Sequence, residues 1–386
     1  MAKRSALFIC VAVAFLLVVG MVMLTSLCSY VTDAPESDPY QEVRQQGVWL
    51  ALGLGVCFFG AAIDYRNWKK LVWWSFGGVT ALLVCCFVPH VGKEIHGEYR
   101  WISGELLGLS GTTIQPSEFA KLAMVLFLAH WYSSYPDSGN KILRGMVVPL
   151  AIAGVLMGLV FIEVDLGTTA VMIATCMALM FVAKVHWGFL SGISVLGMTG
   201  AGLILSMDPG RMERIMAFLD PEKYRLGAYW QNYVGLMALG SGGVEGLGWG
   251  EGRLKMEYLP FAETDFIFPM VGEELGLWFT LGVVYAFLAI AIFGVVIANR
   301  APDRFGMFLA VGIVGLLAFQ AAVNIAVTTG AMPNTGLPLP FVSKGGSSML
   351  VSMFAIGVLL NVYRQGRTAK VSEWSWRDKA APITRL

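Results

Sequence analysis

Long apolar runs separated by short polar turns dominate the chain. Ten such runs, 6–28, 48–63, 71–88, 114–132, 145–162, 166–183, 188–206, 275–298, 306–328 and 347–363, approach the about 20 residues a helix needs to cross a bilayer. Several are at the short end and would tilt or sit partly at the interface. No alternating run competes with the helical reading, and a helical bundle satisfies its own backbone groups in lipid. The pattern predicts an all-α, polytopic transmembrane helical bundle of about ten spans. One stretch, 207–265, breaks it with mixed charge, many glycines and no span. Loops of this length are usually functional or disordered. Trp230, Tyr233, Leu236, Met237 and Leu239 favour an ordered one that packs or lies on a membrane surface.

Composition agrees. The 386 residues are 56% hydrophobic and 14% charged, with mean hydropathy +0.67. Soluble domains carry about 25% charged residues, so lipid must solvate this chain. The net charge of +1 points to no nucleic acid or other polyanion. Orientation follows from the positive-inside bias. Sixteen Lys and Arg fall in the inner segments if the N-terminus is inside, against four in the short outer loops. Both termini are therefore expected in the cytoplasm, with 207–265 outside. Lys3, Arg4 and the run Ala6–Leu24 resemble a signal peptide, but the run is too long and no A-x-A site follows cleanly, so it reads as a retained span. Residues 1–363 form one transmembrane domain. Residues 364–386, with Trp374 and Trp376, form a basic tail suited to anionic lipid.

Charge inside a membrane is costly and marks function, and five polar places stand out. Gln115–Lys121 opens the fourth span with Pro116 in its first turn; Glu118 and Lys121 share a helix face as a structural pair or as a cation facing a polar cavity. Glu163-Val164-Asp165 forms an outer turn, with Asp165 a helix cap or a site residue. Tyr258–Phe268 carries Glu263 and Asp265 to the start of an apolar stretch, 266–298, too long for one span; its first part should line a cavity mouth, and Glu273 and Glu274 read as structural. Gly330–Phe341 has too many prolines and glycines for a helix, and irregular backbone at membrane depth survives only in protein or beside water. Ser343–Ser348 opens the last span, where Ser347 and Ser348 either let helices approach or help bind an anion.

Other patterns carry little. Gly246–Gly252 lacks the strand–turn–helix context of a dinucleotide loop. The six cysteines lie in or beside apolar runs without metal spacing, and His90, His96, His130 and His186 lack partners at metal spacing.

These segments resemble the signature of the SEDS proteins (shape, elongation, division and sporulation). The family's QPSEFAKLA is present at Gln115–Ala123. Gly240–Gly248, Tyr258–Gly276, Gly330–Ser348 and Gly97–Trp101 are similar to further family motifs, in order along the chain. Departures fall at Glu163 and Val164 (Gln and Pro in the family), Phe261 (Glu), Glu263 (His) and Lys344 (Tyr). The resemblance implies a peptidoglycan glycosyltransferase that polymerises lipid II at the outer face of the cytoplasmic membrane. Its implied partners are a class B penicillin-binding protein and other division or elongation proteins, and its implied cofactor is a divalent cation, Mg or Mn, for which the sequence shows no cage. Asp38-Pro39-Tyr40, Arg44-Gln45 and Gly336–Phe341 look more like the division branch. The chemistry needs a base, for which a carboxylate can serve, and positive charge for a departing pyrophosphate. Asp265 is the expected catalytic residue, with Lys121, Glu118, Arg100, Asp165, Ser347 and Ser348 the expected substrate contacts. The rival readings are a flippase for a lipid-linked precursor and an inactive scaffold that activates a partner synthase.

Overall fold

The computed structural model describes residues 4–29, 40–89, 91–95, 98–104, 113–136, 141–207, 209–255 and 259–368. His90, His96, Asp38, Pro39, Gly97 and Tyr258 lie outside this set, as does the tail beyond Thr368.

The ten expected spans are helices. They are α1 Ser5–Cys28, α2 Gln41–Ala62, α3 Val72–Cys85, α4 Pro116–Ser134, α5 Val148–Ile162, α6 Leu166–Val182 and α7 Trp187–Met207. The long loop contributes α8 Pro209–Leu219 and α9 Trp230–Gly242, and α10 Ile267–Ala298, α11 Arg304–Thr328 and α12 Gly346–Thr368 complete the bundle. Six of the helical stretches have the length and hydropathy to cross a membrane by themselves. The spans are apolar nearly all round, as helices solvated by lipid and by each other must be. Buried positions concentrate in α4, α11 and α12. Around them α11 packs on α4, α6 and α10, while α12 packs on α2 and α1 on α10.

Two features depart from the apolar pattern. A small antiparallel sheet, β1 Gly92–Ile95, β2 Glu98–Ser103 and β3 Thr113–Ile114, joins α3 to α4, where the sequence showed no strand signal. The longest of these strands is six residues, too short for alternation to stand out. The other is α10, in which Gly276 (φ 76°, ψ −170°) breaks the helix. The expectation that 266–298 is too long for one span is met by this break, but its first part, 266–276, is buried against the glycine run and does not line a cavity mouth as expected. Into the break fits the glycine run after α9: Leu247 N–H donates to Glu273 O (2.9 Å), Gly248 N–H to Glu274 O (3.0 Å) and Leu277 N–H to Gly243 O (3.1 Å). A Cβ on Gly276 would sit 2.4 Å from Gly246 N, so both the backbone angle and the contact require glycine.

Glu273 and Glu274 hold this wedge, as their structural reading anticipated. Glu273 Oε1 accepts from the N–H groups of Arg253 and Leu254. Glu274 accepts from Lys255 Nζ and Ser26 Oγ, each at 2.7 Å, a buried pair whose charges are matched inside protein. The segment 207–265 is thus tied to α1 and α10, and its helices α8 and α9 bear out the expectation of order.

Candidate active site

A cavity of about 720 Å³ opens at the bundle end formed by the sheet, the α5–α6 turn and the segments 259–266 and 329–345. Three sequence-distant motifs meet there. The turn Phe261–Phe266 carries Asp265. It is wound around the Phe261 carbonyl, which accepts from Thr264 N–H (3.1 Å) and Asp265 N–H (3.2 Å), with Phe261 itself at φ 59°. The Pro-rich segment clasps it: Lys344 N–H donates to Glu263 O (2.9 Å) and Ser343 Oγ to Thr264 O. From α11, Asn324 Nδ2 donates to Asp265 O (2.8 Å) and Leu337 O (2.6 Å), fixing both segments at once. Gly336, at φ 68°, adopts a left-handed backbone that favours glycine and lies beside the Asp265 carboxylate.

The Asp265 carboxyl is partly buried, and burial pushes it up to about 6. The nearby Asp165 adds to the rise and Arg100 opposes it. A carboxyl so poised can accept a proton from a hydroxyl near neutral pH.

Of the expected residues, Asp265, Arg100, Asp165, Ser347 and Ser348 line the cavity together. Arg100, on β2, donates from Nε to Glu163 O (3.1 Å) and from Nη2 to Val164 O (2.6 Å). That turn is strained, with β-branched Val164 at φ 68°. Asp165 is a cap as well as a lining residue: Oδ1 accepts from Thr168 N–H (3.0 Å), and Oδ2 from Ser117 Oγ (3.2 Å) and Gln115 Nε2 (3.4 Å). Ser347 Oγ accepts from Gln115 N–H (3.1 Å) and joins the start of α4 to the start of α12.

Lys121 and Glu118 are placed differently from expectation. Neither lines the cavity. They form an ion pair of 2.7 Å with side chains 3% and 2% exposed, and Lys121 Nζ also donates to Gln320 Oε1 on α11 (2.6 Å). Gln320 Nε2 then donates to Pro338 O (2.9 Å) in the Pro-rich segment. The pair therefore supports the cavity wall from behind. Spacing alone indicated that the two charges pair, but not the direction their shared face takes.

Sequence reasoning missed Arg214 on α8, Lys344, and the α2 residues Glu42, Gln46 and Trp49, all of which line the cavity. Lys344 was visible as a departure from the family motif. Glu42 and Gln46 precede the expected span 48–63, and nothing local distinguished them. For the expected divalent cation, no group of three or more His, Cys, Asp or Glu side chains converges among the described residues. The described residues therefore do not by themselves build a cage of such side chains for one.

The fold and these motifs have known counterparts. A family model described as "Cell cycle protein", for FtsW, RodA and SpoVE, matches residues 6–368. Stage V sporulation protein E of Bacillus subtilis is 37% identical over 360 residues, covering 91% of this chain and 95% of that one. The probable peptidoglycan glycosyltransferase FtsW of Geobacter metallireducens is 35% identical over 343 residues, covering 89% and 90%. Among solved structures, a chain from work described as "Structural coordination of polymerization and crosslinking by a peptidoglycan synthase complex" aligns with TM-score 0.75 and 26% identity, covering 93% of this chain and 98% of that one. The rod shape determining protein RodA of Thermus thermophilus aligns with TM-score 0.67 and 26% identity, covering 92% and 96%.

Proposed function

The chain belongs to the family of FtsW, RodA and SpoVE, the SEDS proteins its motifs resembled, and on that footing we propose that the cavity around Asp265 is its glycosyl-transfer site. It is a multi-pass membrane protein and a peptidoglycan glycosyltransferase. The substrate assigned here is lipid II, and the cavity faces the outer side of the cytoplasmic membrane. The positive-inside count supports that orientation: with α8 and α9 kept on the outer side, the ten spans alternate so that the cavity end is opposite the Lys- and Arg-rich turns.

Each step follows from a residue in the cavity. The acceptor sugar hydroxyl attacks the anomeric carbon of the donor. The Asp265 carboxylate takes the hydroxyl proton as the new C–O bond forms. The bond between the anomeric carbon and the diphosphate oxygen breaks, and the diphosphate leaves with the bonding electrons. Arg100 provides positive charge in the same cavity for the oxygen that becomes anionic. Asn324 and Ser343 keep the Asp265 turn against the Pro-rich segment, so the base need not reorganise. A divalent cation bound here would take most of its ligands from the substrate diphosphate, and no step above depends on one.

The observation that carries the reading is the shared cavity of Asp265, Arg100 and Asp165, with Asp265 raised into the range where a carboxylate works as a base. The test is glycan synthesis by the purified chain from lipid II in detergent, where no second leaflet exists. Polymer would support the transferase site over a flippase. Its absence, with a folded chain and its partner present, would remove the reading.

A class B penicillin-binding protein is the proposed partner, supported by the likeness to a chain of a synthase complex that couples polymerisation to crosslinking. The FtsW-named relatives support a division role, which a fluorescent fusion gathered at the septum rather than the sidewall would bear out.

A further inference from the structure

Besides Arg100 and Arg214, the cavity has a further cation, Lys344, whose present partner is easily exchanged. Lys344 Nζ lies 2.5 Å from Glu42 Oε1, and both residues line the cavity that holds Asp265. Their side chains are 27% and 45% exposed. An ion pair this open to water contributes little to stability, so it is not what joins α2 to the start of α12. Other contacts do that. Gly345 N–H donates to Gln46 Oε1 (3.2 Å), and the Trp49 indole packs on the Gly346 backbone. Glu42, Gln46 and Trp49 occupy one face of α2. The Lys344 backbone is fixed independently, through its N–H to Glu263 O, two residues from Asp265. The ammonium is thus mounted on a rigid support, with a four-carbon stem free to turn from Glu42 into the cavity.

We propose that Lys344 is a substrate-binding residue that leaves Glu42 for the diphosphate of the lipid-linked substrate, so that Glu42 acts as an internal competitor for the same charge. The proposal rests on the glycosyl-transfer reading of the cavity. A diphosphate offers more charge and more acceptor oxygens than one half-exposed carboxylate, which favours the exchange. Lys344 stands where the resembled motif has Tyr, so this device belongs to the present chain.

The competition predicts opposite effects from the two halves of the pair. In lipid II polymerisation by the purified chain with its transpeptidase partner, Lys344→Met raises KM about tenfold, while Lys344→Arg stays near wild type. Glu42→Gln lowers KM severalfold by freeing Lys344, and that gain vanishes in the Lys344→Met background. A merely structural bridge would instead make both single variants worse and the double variant no worse than either. Undecaprenyl pyrophosphate should inhibit the wild type more strongly than Lys344→Met. Phosphatidylglycerol in the micelle should not compete; equal competition by that lipid would assign the site to a lipid headgroup and overturn the proposal. Unchanged KM in folded Lys344→Met, or a raised KM in Glu42→Gln, would overturn it too. Wild-type chain that makes no glycan would instead refute the underlying transferase reading, so the two failures are distinguishable.

Discussion

Replacing Lys121 by Met is the sharpest test of how the wall behind the cavity is built. The wild-type ammonium, 3% exposed, is matched by Glu118 at 2.7 Å and by Gln320 at 2.6 Å. Removing it leaves a carboxylate, 2% exposed, with no opposite charge. Breaking one half of a buried pair costs about 3–5 kcal/mol, because the remaining charge is uncompensated. Gln320 also loses a donor, and its grip on Pro338 loosens. The variant should therefore unfold at lower temperature in detergent and lose glycan synthesis together with stability. Adding Glu118→Gln removes the orphaned charge, and the double variant should recover most of the stability and a substantial part of the activity. A cation that touched substrate would behave otherwise: the single variant would stay stable yet inactive, and the double variant would remain inactive. That result would restore Lys121 to the binding site and refute the supporting role.

Two further predictions use the acidic groups near the cavity. Glu163 is 1% exposed, and its carboxyl has no hydrogen-bond partner stronger than the weak Cys86 thiol. Burial pushes its carboxyl up to about 8, with Asp165 adding to the rise and Cys86 and Arg100 opposing it. The folded chain therefore holds this proton more tightly than the unfolded chain, and the group's contribution to stability falls as pH rises from about 4.5 to about 8. Glu163→Gln should flatten that slope in thermal unfolding and stabilise the chain by roughly 3 kcal/mol at pH 7; an unchanged slope would show that Glu163 is not held neutral. For Asp265, kcat/KM should rise with pH through about 6 as the base deprotonates. Arg100→Gln should move that limb to higher pH and Asp165→Asn to lower pH, because Arg100 lowers and Asp165 raises the Asp265 carboxyl; limbs that do not move would detach Asp265 from both neighbours.

The membrane architecture was legible because lipid imposes one rule, continuous apolar helices of sufficient length. The stretch 266–298 showed as too long for one span, although the position of its break at Gly276 did not. The polar segments at 115–121, 258–276 and 330–348 were legible as exceptions to that rule, and the structure brings parts of all three to one cavity. What the sequence left out was direction. Helical spacing places Glu118 beside Lys121 but does not tell whether the pair meets substrate or Gln320 on α11. Glu42 and Gln46 gain their role only because α2 packs along α12 and brings them to Lys344 and Gly345. The glycine run 240–248 showed only as a motif similar to the family's, and its use as a wedge at Gly276 depends on a contact across some thirty residues.

The account rests on Asp265 as the base of glycosyl transfer. The direct measurement is polymer formed from lipid II by an Asp265→Asn chain, purified with its transpeptidase partner and shown by thermal unfolding to be folded. A positioned base contributes about 10²–10⁴-fold, so glycan synthesis should fall by at least about a hundredfold while partner binding is retained. Polymer within about twofold of wild type would contradict the assignment.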